Sequence, residues 1–522
     1  MQDDLLQPHL NVEELMMIAA KFKLGNHISS ERKAAIVTEV LNLLGLENCR
    51  QTRTDKISGG QRKRLSIALE LVSNPPVIFL DEPTSGLDSV SVKYCIDMLK
   101  ALTGQGRTVI CTIHQPSSYV FQCFNQVYFI QDGMCVYNGS TSNLIPFMSS
   151  LGYECPITYS PADYIIETVQ TVQGSIPPLV DSIQNGKLNR RDSRISSDKY
   201  YSSSRKFLTV HEETTQRQEA QIDTDFPTSF WKQFSILFSR MMLQTKRNTL
   251  AIWIQFFHHI LCGVLFGLLF YGIGNNGSFT YDNCKFCVCV IIFFAYTYVL
   301  SPVLLFPSEV RLLKREYFNR WYDLKPFFLA VTLKSLPLML VLGMAFITVT
   351  YLLTYQPMEL DRFISFSVAS ILAAVASEGL GILVGSICNI TNGSLLGPAM
   401  SAPLVLFCIY GIGYGQSVGP VMKIVIYTSY MRVAVVATVQ SIFGNRQPLE
   451  CTDEDFCYYQ DPRLLLRDAG MANSSYALHV LGLIAYIILF RVVAYLALRF
   501  TLTSEVTSFL NRIKKYFCLN RL

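Results

Sequence analysis

Six apolar runs, at 250–272, 285–306, 328–354, 363–387, 395–413 and 477–500, constrain this 522-residue chain more than any other feature. A helix needs about 20 largely apolar residues to cross a bilayer, because its backbone polar groups must all be satisfied within the segment. The runs therefore read as six membrane-spanning helices. Composition agrees: half the residues are hydrophobic and 16% are charged, where a soluble chain carries about a quarter. The net charge is a modest +5, and basic residues cluster beside the apolar runs. That is the pattern of cytoplasmic flanks, and no nucleic-acid partner is expected.

The same residues set the expected orientation. Lys246 and Arg247 precede the first run. Arg311, Lys314, Arg315, Arg320 and Lys325 fill the loop after the second, and Arg512, Lys514 and Lys515 follow the sixth. Six spans put all of them on one side, with both termini in the cytosol. The opening MQDDLLQPHLNVEEL has neither a basic n-region nor an apolar h-region and does not read as a signal peptide. The loop at 441–476 then faces outside. Cys451 and Cys457 lie there in an oxidising compartment, as candidates for a disulfide, and Asn473-Ser-Ser is a glycosylation acceptor pattern. Asn276-Gly-Ser also faces outside, in a short loop. Asn138, Asn389 and Asn392 match the pattern on the cytosolic side and are set aside.

Within the membrane part, Glu378 stands inside the fourth run. An intramembrane acid is expected to face the bundle interior, as a functional group or as half of a structural pair. Ala373, Ala374, Ala376, Ser377, Gly379, Gly381 and Gly385 around it permit close helix packing. The third run contains Lys334 and Pro337, which leave its cytosolic end open. The apolar stretch 414–440, broken by Gly419-Pro420, Lys423 and Arg432, reads as a re-entrant or interfacial piece. Ser308 to Lys325 reads as a cytosolic coupling element or as a membrane-surface loop.

Residues 1–170 read as a soluble α/β domain. Leu15, Met16, Ile18 and Ala19, then Ile36, Val40, Leu43 and Leu44, recur at helical spacing. The short apolar runs at 77–80 and 108–113 read as buried parallel strands. Residues 126–137 read as a hairpin around Asp132-Gly133. From 171 to 225 the chain turns polar and loses periodicity, as a flexible linker does, with Arg190 to Ser193 as a basophilic kinase pattern inside it. The third segment, 226–522, carries the six spans.

The chemistry concentrates at 57–90, ISGGQRKRLSIALELVSNPPVIFLDEPTSGLDSV. Ser58-Gly59-Gly60-Gln61 opens a helical run, where small residues let backbone N–H groups approach a phosphate and the helix dipole adds positive potential. Asp81 and Glu82 end a strand, on the side of a parallel sheet where ligands bind. There the first acid is suited to Mg²⁺ and the second to polarising an attacking water. His114 ends the next strand and is placed to contact a γ-phosphate.

As an ordered set these residues resemble the ATP-binding cassette family. The resemblance implies a Q-loop at Gln2, a signature motif at Ser58, Gly59, Gly60 and Gln61, a Walker B aspartate at Asp81 and a catalytic glutamate at Glu82. It also implies a D-loop from Ser85 to Ser89, including Asp88, and a switch histidine at His114. Glu82 and His114 would be catalytic, Gln2, Ser58 to Gln61 and Asp88 would bind nucleotide, and Asp81 with Gln2 would hold Mg²⁺. A cassette placed before the membrane domain, with ISGGQRKRL, DEPTSGLDS and TIHQPS, is similar to the White-type half-transporters of the G subfamily. MQDDLLQPHL, SPADYIIE and the CTDEDFC loop look most like its sterol- and lipid-exporting branch, with the insect pigment-precursor branch as the competitor. The resemblance implies ATP and Mg²⁺ as cofactors, a homo- or heterodimer with another G-type half-transporter, and an apolar substrate moved across a plasma membrane or endomembrane.

One departure qualifies this. The family's GxxGxGK[ST] phosphate loop is absent from the sequence. The expected fold is therefore an α/β P-loop-type nucleotide-binding domain without its Walker A part, followed by an all-α six-helix transmembrane domain. In the family each ATP site takes its phosphate loop from one chain and its signature from the other. Two copies of this sequence would supply no complete site, and one copy with an intact partner would supply one. The chain is thus expected to be a fragment of a longer coding sequence, or a short isoform that works in a heterodimer or regulates an intact partner without catalysing.

Overall fold

The computed structural model describes residues 5–171, 176–186, 226–409, 428–451, 457–472 and 474–502, with single positions at 419, 421, 424 and 426. The chain divides into two units, Met1–Thr228 and Ser229–Leu522.

The first unit is α/β. In chain order it contains α1 (Val12–Lys23), α2 (Ser30–Leu43), α3 (Gly59–Leu71), β1 (Val77–Asp81), α4 (Ser89–Gly104) and β2 (Thr108–Thr112). There follow α5 (Ser118–Gln122), β3 (Gln126–Gln131), β4 (Met134–Ser140), α6 (Leu144–Ser150), α7 (Pro161–Thr171) and α8 (Ile176–Ser182). A capping box starts α1: Asn11 Oδ1 accepts from the Glu14 N–H at 2.7 Å, and Glu14 Oε2 accepts from the Asn11 N–H at 3.0 Å. Glu13 and Glu14 in its first turn and Lys21 and Lys23 in its last suit the helix dipole. The buried face of α1 carries Leu15, Met16, Ala19 and Phe22.

β1 and β2 pair in parallel, in register from Val77 with Thr108 to Asp81 with Thr112. The expectation that both are buried strands needs correction. Ile78 is buried, but Phe79 is 75% exposed, and Val77 and Ile110 are also exposed. Alternate side chains leave opposite faces of a strand, and no described element covers the outer one. β3 and β4 form the expected antiparallel hairpin. Asp132 and Gly133 at its tip have φ of 51° and 78°, the left-handed pair that matches the twist of the flanking strands.

A second correction concerns the linker. Residues 176–182 form α8, Leu179 is fully buried in the core around β4, and Asn185 Oδ1 accepts from the Cys135 N–H at 2.8 Å. The segment 171–225 is therefore folded at its start. The Arg190 to Ser193 pattern lies outside the described residues.

The second unit contains α9 (Phe230–Arg247), α10 (Thr249–Leu269), α11 (Thr280–Phe318), α12 (Leu324–Lys334), α13 (Leu336–Leu353), α14 (Leu360–Ile387), α15 (Ile390–Ile409), α16 (Tyr430–Phe443), α17 (Pro462–Asp468) and α18 (Tyr476–Leu502). Among the described residues six spans are long and apolar enough to cross a membrane; the third joins α12 to α13. The junction falls at Ser335, with Pro337 in the first turn of α13, where a missing N–H costs nothing. Lys334 pairs with Glu309 across to α11.

α11 runs through Pro302 and Pro307 well past the apolar run that marks it in sequence. The first half of the expected coupling segment is therefore a continuation of the second span. Its end is fixed by a buried cluster: Arg240 Nη1 donates to both carboxylate oxygens of Glu316 at 3.1 and 2.9 Å, and Tyr322 donates its hydroxyl to the same carboxylate. The described part of the broken stretch, α16, is buried almost throughout. Arg432 on it donates to the carbonyls of Cys408 at 3.2 Å and Ala469 at 3.0 Å. Protein therefore covers this short helix.

Candidate functional site

The first group of candidate residues leaves the C-terminal edge of the β1–β2 pair. Parallel pairing puts Asp81 beside Thr112. The Thr112 hydroxyl donates to Asp81 Oδ1 at 2.8 Å and accepts from the Glu82 N–H at 3.0 Å. One hydroxyl thus fixes the aspartate's rotamer and the turn after it. The Thr112 hydrogen bond also holds the Asp81 carboxyl below its ordinary value, keeping it anionic. Glu82 follows at φ 46°, a left-handed conformation that is costly for a glutamate. Gln115, next to His114, has φ 51°. The backbone is therefore strained after both strands. His114 itself is exposed at this edge.

The second group is built on α3 and α4. Ser58 and Gln61 cap α3 reciprocally: Ser58 Oγ accepts from the Gln61 N–H at 3.2 Å, and Gln61 Oε1 accepts from the Ser58 N–H at 2.9 Å. The first-turn N–H groups of Gly59 and Gly60 keep no helical partner. Gly59 is exposed, and a Cβ there would meet nothing within 4 Å, so the side-chain position of Gly59 is open. A Cβ on Gly60 would stand 2.7 Å from Ser91 Oγ. Ser91 is in turn held by Asp88, whose carboxylate caps α4 by accepting from the Ser91 N–H at 3.1 Å. The Ser91 hydroxyl first, and this N–H cap second, lower the Asp88 pKa. Gly60 and Asp88 are thus brought together through one serine.

In the membrane unit Glu378 is buried and ion-paired. Arg491 Nη2, on α18, donates to Glu378 Oε2 at 2.5 Å. The two side chains are 9% and 7% exposed. Ser377 lies 3.1 Å from the Tyr430 hydroxyl, and His259 Nε2 lies 3.1 Å from the Tyr298 hydroxyl. Cys451 and Cys457 are joined by a disulfide. It packs on the start of the second span, where a Cβ on Gly277 would meet Cys451 Sγ at 2.9 Å.

Gln2 and Asn473 lie outside the described residues. The sequence reading missed Arg491, Thr112 and the Arg240–Glu316 pair. Arg491 is a lone charge inside an apolar run, and the rule that singled out Glu378 finds it too. Thr112 carries no such signal, since its role comes only from strand register.

Comparison with known proteins agrees with this arrangement. Residues 1–85 match the family model for the ABC transporter domain, and residues 232–443 match the ABC-2 type transporter. The protein white of Drosophila melanogaster is 28% identical over 509 residues, which cover 95% of this chain and 73% of that protein. ABC transporter G family member 21 of Arabidopsis thaliana is 27% identical over 517 residues, covering 95% and 76%. Member 14 of the same plant family is 28% identical over 512 residues, covering 95% and 77%. An ABC transporter segment on an α/β unit, followed by an ABC-2 membrane domain, defines an integral multi-pass membrane transport protein. Within that class the chain is similar, over 95% of its length, to members of the ABC transporter G family and to the protein white.

Proposed function

We propose that this chain moves an apolar or amphipathic molecule, of the sterol or phospholipid class, outward across a membrane as one half of a dimer with a second G-type half-transporter. Both termini face the cytosol, as the basic flanks imply. The observation that carries the substrate class is the character of the membrane interior. The described core is aromatic and aliphatic, including Phe286, Phe293, Phe294, Phe346 and Phe366, and Glu378 is neutralised by Arg491. Such an interior offers an ionic or sugar-like cargo little compensation for its lost hydration.

The soluble unit's residues fit nucleotide and Mg²⁺ on two counts: the exposed Ser58-Gly59 turn that opens α3, and an Asp81 carboxylate whose position Thr112 fixes at the end of β1. Bound ATP would supply a phosphoanhydride whose cleavage drives the transport cycle. The Ser58 hydroxyl and the Gly59 and Gly60 N–H groups would bind phosphate oxygens, with Gln61 bracing the turn and Asp88 setting its distance from α4. Asp81 would hold the metal, directly or through water. Asp81, Glu82 and His114 would face the other site of the dimer, the one without a phosphate loop, where Glu82 is placed to take a proton from a water and His114 to orient that water. Gln2 is assigned to nucleotide and Mg²⁺ by the resemblance alone.

The test is co-reconstitution with an intact G-type partner in proteoliposomes that carry a fluorescent sterol or phospholipid. ATP-dependent movement to the opposite leaflet is expected, at least about tenfold above the partner alone. Equal movement with and without ATP sinks the reading. A rate below the partner's own would mark the chain as an inhibitory subunit instead.

A further inference from the structure

Three loops meet at one end of the membrane bundle. Asn275 follows α10, Tyr355 and Glu359 lie between α13 and α14, and Gly444 and Arg446 follow α16. Asn275 Nδ2 donates to the Tyr355 carbonyl at 3.0 Å, and Asn275 Oδ1 accepts from Arg446 Nη2 at 2.6 Å. Arg362, in the first turn of α14, donates through Nη1 to the carbonyls of Ile442 at 3.0 Å and Gly444 at 2.9 Å. Its Nε donates to Glu359 at 2.7 Å. Two guanidinium groups therefore converge on the end of α16 with one carboxylate to offset them.

The Arg446 fork is only half used. Its Nη1 is buried and finds no acceptor among the described residues. Burial first, and the charge of Arg362 second, pull the Arg446 guanidinium below its ordinary value, with Glu359 offsetting part of the effect. A buried charged donor without an acceptor is a cost that an oxyanion removes, and the planar guanidinium fork matches the spacing of phosphate oxygens. Among the described residues, Arg362, Arg446 and Glu359 sum to one net positive charge, opposite to the single negative charge of a phosphodiester.

The rim shows which molecule carries that group. Tyr271, Tyr355, Met358 and Leu360 are all more than half exposed beside the cluster, and the two tyrosine hydroxyls stand 3.3 Å apart. Exposed tyrosines at the end of a span sit at headgroup level, their rings toward the acyl chains and their hydroxyls toward water. We propose that Arg446, positioned by Asn275 and backed by Arg362, binds the phosphate of a phospholipid headgroup at this end of the bundle. Arg446 sits on a half-exposed loop, so a rotamer change brings Nη1 to the surface. Assigning the lipid to the outer leaflet rests on the orientation proposed above; the oxyanion chemistry does not.

The test measures melting of the full chain in a neutral detergent. The additives are short-chain phosphatidylglycerol, a diacylglycerol of the same chain length, or inorganic phosphate. Phosphatidylglycerol is expected to raise the melting temperature and diacylglycerol to leave it unchanged. Arg446→Gln is expected to weaken the phosphatidylglycerol response at least about tenfold in apparent affinity. Asn275→Ala, a milder change on an exposed loop, is expected to weaken it in the same direction and covers the case in which Arg446→Gln does not fold. An equal response to inorganic phosphate overturns the lipid source and leaves a free-anion site. Responses of both variants that match the wild type, or a diacylglycerol response equal to that of phosphatidylglycerol, overturn the site itself. Because no transport is measured, this outcome is independent of the proposed activity.

Discussion

Arg491 on α18 donates to Glu378 on α14 at 2.5 Å, and both side chains are more than nine-tenths buried. Two charges from spans far apart in sequence thus neutralise each other inside an apolar bundle. Removing one partner leaves the other charge stranded, which costs about 3–5 kcal/mol in buried pairs. Glu378→Gln and Arg491→Met should each lower the melting temperature sharply. The double variant Glu378→Leu with Arg491→Leu should recover most of the loss. A double variant no better than the sum of the two single ones would mean that the pair does not couple the helices.

The α14 glycines admit α11. A Cβ on Gly381 would lie 2.5 Å from the Val299 carbonyl oxygen, a backbone atom that cannot rotate away. Gly381→Ala should therefore push the helices apart and cost about 1–3 kcal/mol. Thermal melting of the purified chain reads the loss, and a cross-link between cysteines introduced on α11 and α14 should form more slowly.

Gly60 and Ser91 form a similar contact in the soluble unit. A methyl on Gly60 would stand 2.7 Å from Ser91 Oγ, whereas one on Gly59 meets nothing. Gly60→Ala should reduce nucleotide binding in the assembled transporter, and Ser91→Gly should restore it. Gly59→Ala clears the local packing, so any loss it causes reports the lost approach of a ligand rather than a clash. Binding of a fluorescent ATP analogue distinguishes the three variants.

Acid should loosen the soluble unit. The Arg50 hydrogen bond at 2.6 Å lowers the Glu13 pKa, and the Thr112 hydrogen bond lowers that of Asp81. A lowered folded value means that the stabilisation is fully present above the ordinary carboxylate pKa and is lost as pH falls through the lowered one. Stability should stay level with respect to these two groups down to about pH 4 and decline below it. Arg50→Ala should flatten the part that belongs to Glu13, as read by denaturant midpoints across pH.

Much of this was legible in the sequence, and unevenly so. The Asp132-Gly133 tip specifies its hairpin because few residues accept the left-handed pair of dihedrals it needs. The six spans follow from length and apolarity, which are one-dimensional properties. The 171–225 segment was misjudged because α8 is held by Leu179 in a core built from β4, not by its own periodicity. The strands at 77–80 and 108–113 were expected to be covered because a run of apolar residues states only that both faces tolerate burial. It does not state that both are buried.

The sequence by itself determined the order of the two units, the number of spans and the chemical inventory at 57–90 and at His114. Each is encoded in local composition or spacing, which the chain carries before it folds. Only the tertiary structure decided that Glu378 is answered by Arg491, that Thr112 grips Asp81, and that Arg446 keeps an unused donor beside Arg362. Those relations join residues from separate strands, helices and loops. Register and helix packing choose the partners, and no local pattern along the chain records the choice.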